Sequence, residues 1–129
     1  MRQIIILSIL LVCANMSFGQ NGNIVSKNTI DIIKSELWAF ISSNDSIKSE
    51  YKFANNLNYS EIIYQSNSYY VEGFLITPKA KGHYPVIIFN RGGNREFNKL
   101  TLKTLFFSTA VLANEGYIIL ASNYRAQDE

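Results

Sequence analysis

Apolar and polar positions change period several times along the chain, and each change marks an expected element. Ile30, Ile33, Leu37 and Phe40 or Ile41 recur at helical spacing, which predicts a helix with Thr29 as N-cap, Asp31 in the first turn and Ser42-Ser43-Asn44-Asp45 as the stop. Trp38 falls at the edge of that apolar face, where packing is the expected role. Before it, Gln20 to Lys27 is polar and Gly/Asn-rich and is read as a loose leader. After it, residues 44–60 are dense in Asn and Ser without clear periodicity, although the stretch SIKSEYKFANNL admits a second short helix.

Two strand-like segments follow, Glu61 to Gln65 and Tyr69 to Thr77, with Ser66-Asn67-Ser68 of the right length and residue types for a hairpin loop. Within the second, Gly73 is a candidate bulge. Pro78 to Pro85 is a polar connection, and Pro85 stands where a strand tolerates a missing N–H, at its start. Val86 to Phe89 is then apolar on both faces, the pattern of a strand buried between helix layers. Leu102, Leu105, Phe106, Thr109, Ala110 and Ala113 return to helical spacing, Gly116 follows as the residue after the C-cap, and YIILASNY is a second doubly apolar strand. Strand, helix and strand at this spacing make a parallel βαβ unit. The expected fold is therefore α/β, an antiparallel hairpin leading into a parallel βαβ unit, preceded by a short helical N-terminal region at 20–60.

The first nineteen positions belong to a different problem. Arg2 gives a positive start, Ile4 to Val12 an unbroken apolar run, and Ser17-Phe18-Gly19 small residues where a signal peptidase reads, so residues 1–19 are expected to be a signal peptide cleaved before Gln20. The alternative of a retained anchor asks for roughly 20 apolar residues, and Asn15 interrupts the run before that length. Lipid attachment at Cys13 is disfavoured by the bulky Leu11 and Val12 before it. The expected location is secreted or periplasmic, with no stable membrane span after cleavage.

Composition narrows the field further. At 129 residues, 47% hydrophobic and 17% charged, the chain is of ordinary globular make-up, one small domain or part of a larger one. Its +2 formal charge is scattered, so no basic patch argues for a nucleic-acid partner. Cys13 is the sole cysteine and His83 the sole histidine, which leaves no disulfide after signal removal, no metal-ligand cluster and no implied cofactor.

The most informative short stretch is YPVIIFNRGGN, Tyr84 to Asn94, where a doubly apolar strand runs directly into Arg91-Gly92-Gly93. A loop following a parallel strand lies at the carboxyl edge of the sheet, where open α/β folds bind their ligands. Two glycines remove side-chain bulk and let backbone N–H groups face a bound atom. Phosphate binding is the competing use, but RGGNREFN has neither the glycine spacing of a P-loop nor its Lys-Ser/Thr ending. A plain tight turn with an exposed Arg91 is the other alternative.

Four pieces in order, Gly73-Phe74-Leu75-Ile76-Thr77-Pro78, Arg91-Gly92-Gly93, Gly116-Tyr117 and Asn123-Tyr124-Arg125, resemble the opening of the catalytic domain of α/β-hydrolases of the prolyl-oligopeptidase-type serine peptidase family. The resemblance runs from Glu61 to Glu129, the part expected to form the hydrolase-like sheet. It implies that Gly92 and Gly93 supply oxyanion-hole N–H groups, that Arg91 stands at the mouth of the substrate pocket in place of the family's commoner His or Tyr, and that the substrate is a peptide or ester. It also implies a nucleophile in a Gly-x-Ser-x-Gly elbow followed by an acid and a histidine, and none of these occurs after Tyr124. No catalytic residue is therefore assigned within this chain. His83 lies before the strand that carries the loop, on the wrong side of the sheet for a base, while Ser108 and Ser122 fall inside a helix and a strand. Two readings follow: an N-terminal portion of a secreted serine hydrolase, inactive by itself, or a non-catalytic secreted module that recruits a partner strand through an open sheet edge.

Overall fold

A computed structural model of the chain describes residues 22–90 and 99–123. The signal-like segment 1–19 lies outside the described residues. The centre of the fold is a long hairpin, β4 (Leu57–Ser66) and β5 (Tyr69–Pro78), paired without a break from Leu57↔Pro78 to Ser66↔Tyr69. That register leaves Asn67-Ser68 as the loop, and Asn67 takes φ 55, a left-handed conformation that Asn accepts more readily than most residues.

β5 next pairs antiparallel with β7 (Ile118–Ser122), and β7 pairs parallel with β6 (Val86–Asn90). With β1 (Ile24–Thr29) on the far side, the five-stranded sheet has the order β1-β4-β5-β7-β6. The fold is thus of α/β type with a mixed sheet, antiparallel first and parallel at the β7-β6 end.

The crossover between β6 and β7 is α2 (Leu102–Asn114), which follows the earlier α1 (Trp38–Ile41). All six positions expected to face the core, Leu102, Leu105, Phe106, Thr109, Ala110 and Ala113, are buried. Thr101 is the N-cap, its hydroxyl oxygen accepting from the Thr104 N–H at 3.2 Å. At the other end Gly116 takes φ 98, its N–H donating to the Ala113 carbonyl and the Tyr117 N–H to that of Leu112. That pair of bonds is a Schellman motif, and it requires the left-handed residue at Gly116.

The main core cluster lies on one face of the sheet, while Ile62 and Val71 are buried on the other face of the hairpin. In the main cluster Ile76, Ile119 and Ala121 meet Leu105, Phe106 and Ala110 of α2, with Leu37 and Ile41 of the N-terminal region closing the side. Phe53 stacks on Phe106 at 5.8 Å between centroids. Tyr59 is buried against the same helix, its hydroxyl donating to the Ala54 carbonyl at 3.2 Å, and burial pushes its phenol well above the usual tyrosine range.

Four expectations need correction. The loose leader is in part β1, an edge strand antiparallel to β4 with an irregularity between Ile24 and Ser26. Its polar composition suits an edge, where pairing is by backbone and the side chains face solvent. The helix expected over residues 30–41 is broken into a 3-10 turn at Ile32–Lys34 and the single turn α1. Ser35 breaks it, because both its N–H and its hydroxyl donate to the Ile32 carbonyl while its backbone turns extended. The cap is Asp31, which accepts from the Ile33 N–H, and Thr29 ends β1 instead. The second short helix is present as a 3-10 helix, Ser49–Asn56, reached through a small hairpin of β2 (Ser42–Ser43) and β3 (Ser46–Ile47).

Gly73 is no bulge, since its pairing is regular toward both Ile62 and Ser122. The glycine is needed for close approach: an added Cβ would lie 2.5 Å from the Ala121 carbonyl oxygen. The last correction concerns β6. Ile87 and Phe89 pack on the core, but Val86 and Ile88 on the other face are 56% and 66% exposed, and no helix covers that face among the described residues.

Candidate functional site

Because β6 and β7 are parallel neighbours, their carboxyl ends stop side by side at the pair Asn90↔Ser122. The chain leaves β6 at Asn90 and is described again from Lys99. Arg91, Gly92 and Gly93 lie outside the described residues, as do Asn94, Arg95, Glu96 and Arg125. The structure does define where the intervening segment begins and ends.

The beginning is held by the β6-β7 ladder. The end is held by Asn123, the first residue after β7, whose side-chain Oδ1 accepts from the Leu100 N–H at 2.9 Å. Asn123 is itself only 8% exposed and its own N–H donates to the Glu72 carbonyl at 2.9 Å, so its backbone is tied to β5 while its side chain is tied to Leu100. Leu100 is buried in the core cluster. Lys99 adds an ion pair to Glu72 at 3.3 Å, half exposed at both partners and therefore of small energetic weight. Two consecutive residues, Ser122 and Asn123, thus fix both feet of the segment.

Beside these feet runs an open cleft of about 410 Å³, with Phe74, Leu100 and Leu102 as apolar lining and Glu36, Glu61 and Glu72 as acidic lining. Among the described residues no group of His, Cys, Asp or Glu is arranged to hold a metal ion.

Ser122 is committed to structure. Its hydroxyl donates to the Asn123 carbonyl at 2.8 Å, which makes the Tyr64 hydroxyl the donor in the 2.6 Å contact between the two side chains. Ser108 is exposed on α2. His83 is exposed in the connection before β6, at the amino end of that strand, and the strand itself puts about 17 Å between it and the carboxyl edge. Ser122 stands at the end of β7 with its hydroxyl already engaged, and Ser108 and His83 are exposed elsewhere.

Asn123 is the residue that sequence reasoning passed over as a functional element. The signal available for it was a lone amide closing a doubly apolar strand, where the backbone of a following or preceding loop must find a partner. No helix among the described residues is long and apolar enough to cross a membrane. No family model, curated protein or solved structure matches the chain.

Proposed function

We propose that the chain is the N-terminal portion of a secreted serine hydrolase that cleaves a peptide or ester bond by acyl transfer. The observation that supports this reading is the parallel pairing of β6 with β7 through α2, which ends β6 at Asn90 on the carboxyl edge of neighbouring strands, the residue that precedes Arg91-Gly92-Gly93 in sequence. The hydrolase resemblance requires that neighbour relation and requires a further strand, bearing the nucleophile, along the outer side of β6. Among the described residues no strand pairs with that side, and the apolar Val86 and Ile88 stand exposed on one face of β6.

In this reading a serine hydroxyl attacks the scissile carbonyl and negative charge collects on the carbonyl oxygen. The N–H groups of Gly92 and Gly93 donate to that oxygen, and the absence of a β-carbon lets the backbone approach it. Each such donor contributes roughly 2.7–4 kcal/mol to the transition state when measured by deletion. Arg91 stands at the mouth of the pocket. The serine, its histidine base and the acid that orients it come from sequence following Glu129.

The test is direct. The reading expects a Gly-x-Ser-x-Gly motif in the coding sequence downstream and covalent labelling of that serine by a fluorophosphonate probe in the longer product. A Gly92→Val/Gly93→Val double variant should label at least about a hundredfold more slowly, the loss of one or more oxyanion donors. A reading frame closing at Glu129 with no labelled product would favour the second reading, a binding module whose β6 edge takes a strand from a partner, for which the exposure of Val86 and Ile88 also speaks.

A further inference from the structure

α2 is apolar on two sides. One side packs on the sheet, and the other carries Phe107, Val111 and Leu112, which are 49%, 58% and 41% exposed. Phe107 and Val111 stand one turn apart on the same line of the helix, and the position one turn before them on that line is Lys103. The Lys103 ammonium lies 4.3 Å from the centre of the Phe40 ring of α1, itself 45% exposed. Phe40, Lys103, Phe107 and Val111 thus make one continuous strip along the outside of the helix. A second ammonium stands at the same end, since Lys48 Nζ donates to the Phe40 carbonyl at 2.7 Å. Among the described residues the ion pairs are Lys34 with Asp31 and Lys99 with Glu72, so neither Lys48 nor Lys103 is matched by a carboxylate.

An exposed apolar strip of this kind marks an interaction surface, and its charge says which kind of partner fits. Lysine is depleted from interfaces between proteins. Ammonium groups on apolar stems beside aromatic and aliphatic side chains suit the boundary between lipid headgroups and acyl chains, where a helix lies flat with its apolar side down. We propose that this strip is a docking surface for an anionic phospholipid bilayer, with Phe40, Phe107 and Val111 entering the headgroup layer while Lys48 and Lys103 meet the lipid phosphates. The acid at the far end of the helix, Glu115, leaves the Phe40 end as the one that leads onto the membrane. Adsorption of this kind needs no membrane-spanning helix, and it does not rest on the hydrolase reading.

The experiment sediments the full chain with vesicles of phosphatidylcholine alone or with a third of the lipid replaced by phosphatidylglycerol. The unaltered chain should bind the anionic vesicles at least about tenfold more tightly than the neutral ones, and about 1 M salt should remove most of that difference. Lys48→Gln/Lys103→Gln should lose about tenfold on anionic vesicles and nothing on neutral ones. Phe107→Ser/Val111→Ser should lose about tenfold on both. Ile88→Ser, which removes an equally exposed apolar side chain from the sheet, should bind as the unaltered chain does. All variants share the same N-terminal residues, so the differences between them report the strip. Equal binding by the unaltered chain and the serine pair would overturn the proposal, and so would a loss in Ile88→Ser as large as in the serine pair. Self-association without lipid that the serine pair abolishes, with no vesicle binding by the unaltered chain, would assign the strip to a second copy instead and equally overturn it. If the serine pair does not fold, the lysine pair alone decides, and unchanged binding to anionic vesicles sinks the membrane role. Serine labelling of a longer product can fail while vesicle binding stands, and the reverse.

Discussion

β6 and β7 have nearly the same sequence character and opposite fates. VIIFN and IILAS are both apolar on both faces, and their register pairs Ile87 with Ile119 and Ile88 with Leu120. Yet on the core face Ile119 and Ala121 are 0% exposed while their partners Ile87 and Phe89 are only partly buried, and on the other face Leu120 is partly buried while its partner Ile88 is 66% exposed. The difference is one of neighbours. β7 has β5 on one side, β6 on the other and α2 over one face; β6 has β7 alone beside it in the sheet. Hydrophobic pattern therefore states what a strand is suited to bury, and topology states what it does bury.

The largest effect that tests this contrast comes from truncating an enclosed isoleucine of β7 and an exposed one of β6, which stand on opposite faces of the sheet. Ile119→Ala should lower stability by about 2–5 kcal/mol, because the side chain is fully enclosed and the surrounding helix cannot collapse into the space. Ile88→Ala should change it by less than about 0.5 kcal/mol, as an exposed position does. Urea midpoints at constant m-value give both numbers. Equal losses at the two positions would mean that β6 is covered in solution and that the contrast is false.

A smaller effect probes how β7 is fitted against β5. Gly73 faces the Ala121 carbonyl so closely that Gly73→Ala must separate the strands or tilt one of them. The expected cost is about 1–3 kcal/mol, the usual range for overfilling a packed site, since the obstacle is backbone and not a side-chain tip that can swing aside. If the urea midpoint is unchanged or rises, the β5-β7 approach is looser than described.

Tyr59 tests the covered face by pH. Its phenol is held above the ordinary value of about 10 by burial, so the unfolded chain ionises first as pH rises. The neutral form is the one the fold accommodates; its contribution is complete below pH 10 and is lost progressively above it. The unaltered chain should therefore weaken between about pH 10 and 11.5 with a slope that Tyr59→Phe lacks, after both are corrected for the other tyrosines by the same alkaline titration. Near neutral pH Tyr59→Phe should cost about 1 kcal/mol, the bond to the Ala54 carbonyl. A slope shared by both proteins would place the alkaline loss elsewhere.

How much of this was legible in the sequence varied with the range of the interaction responsible. α2 was readable in its six inward positions and its Gly116 stop, which are local signals, while its Thr101 cap was not singled out. The parallel βαβ unit and the β4-β5 hairpin followed from period and turn chemistry in the same way. β1 was not readable, since its pairing with β4 is a backbone interaction that leaves no apolar alternation in IVSKNT. The helix expected over 30–41 failed because a local competitor, the Ser35 hydroxyl, outweighed a periodicity that one exposed residue, Ile33, had counterfeited. At the site, the glycine pair could be singled out as a motif, whereas Asn123 offered locally only an amide closing an apolar strand, and its partner Leu100 lies 23 residues away, where no local pattern points.

The smallest change in stability carries the sharpest statement about β6. Ile88→Lys places a charge on the bare face of an edge strand whose five residues contain no charge of their own, and charges at such positions are a common way of blocking strand addition. Stability should move by less than about 0.5 kcal/mol, because the side chain already stands in water. Association is where the effect should appear: sedimentation of the unaltered chain at rising concentration should show self-association through the open β6 edge, and Ile88→Lys should abolish it. A lysine at Ile24, on the opposite edge strand, is the control. β1 already carries Lys27 and a register irregularity that twists its edge away, so the added charge should leave association unchanged. If both lysines act alike, the two edges are equivalent and β6 has no special need of a partner; if Ile88→Lys alone acts, the strand is the place where the sheet asks to be continued.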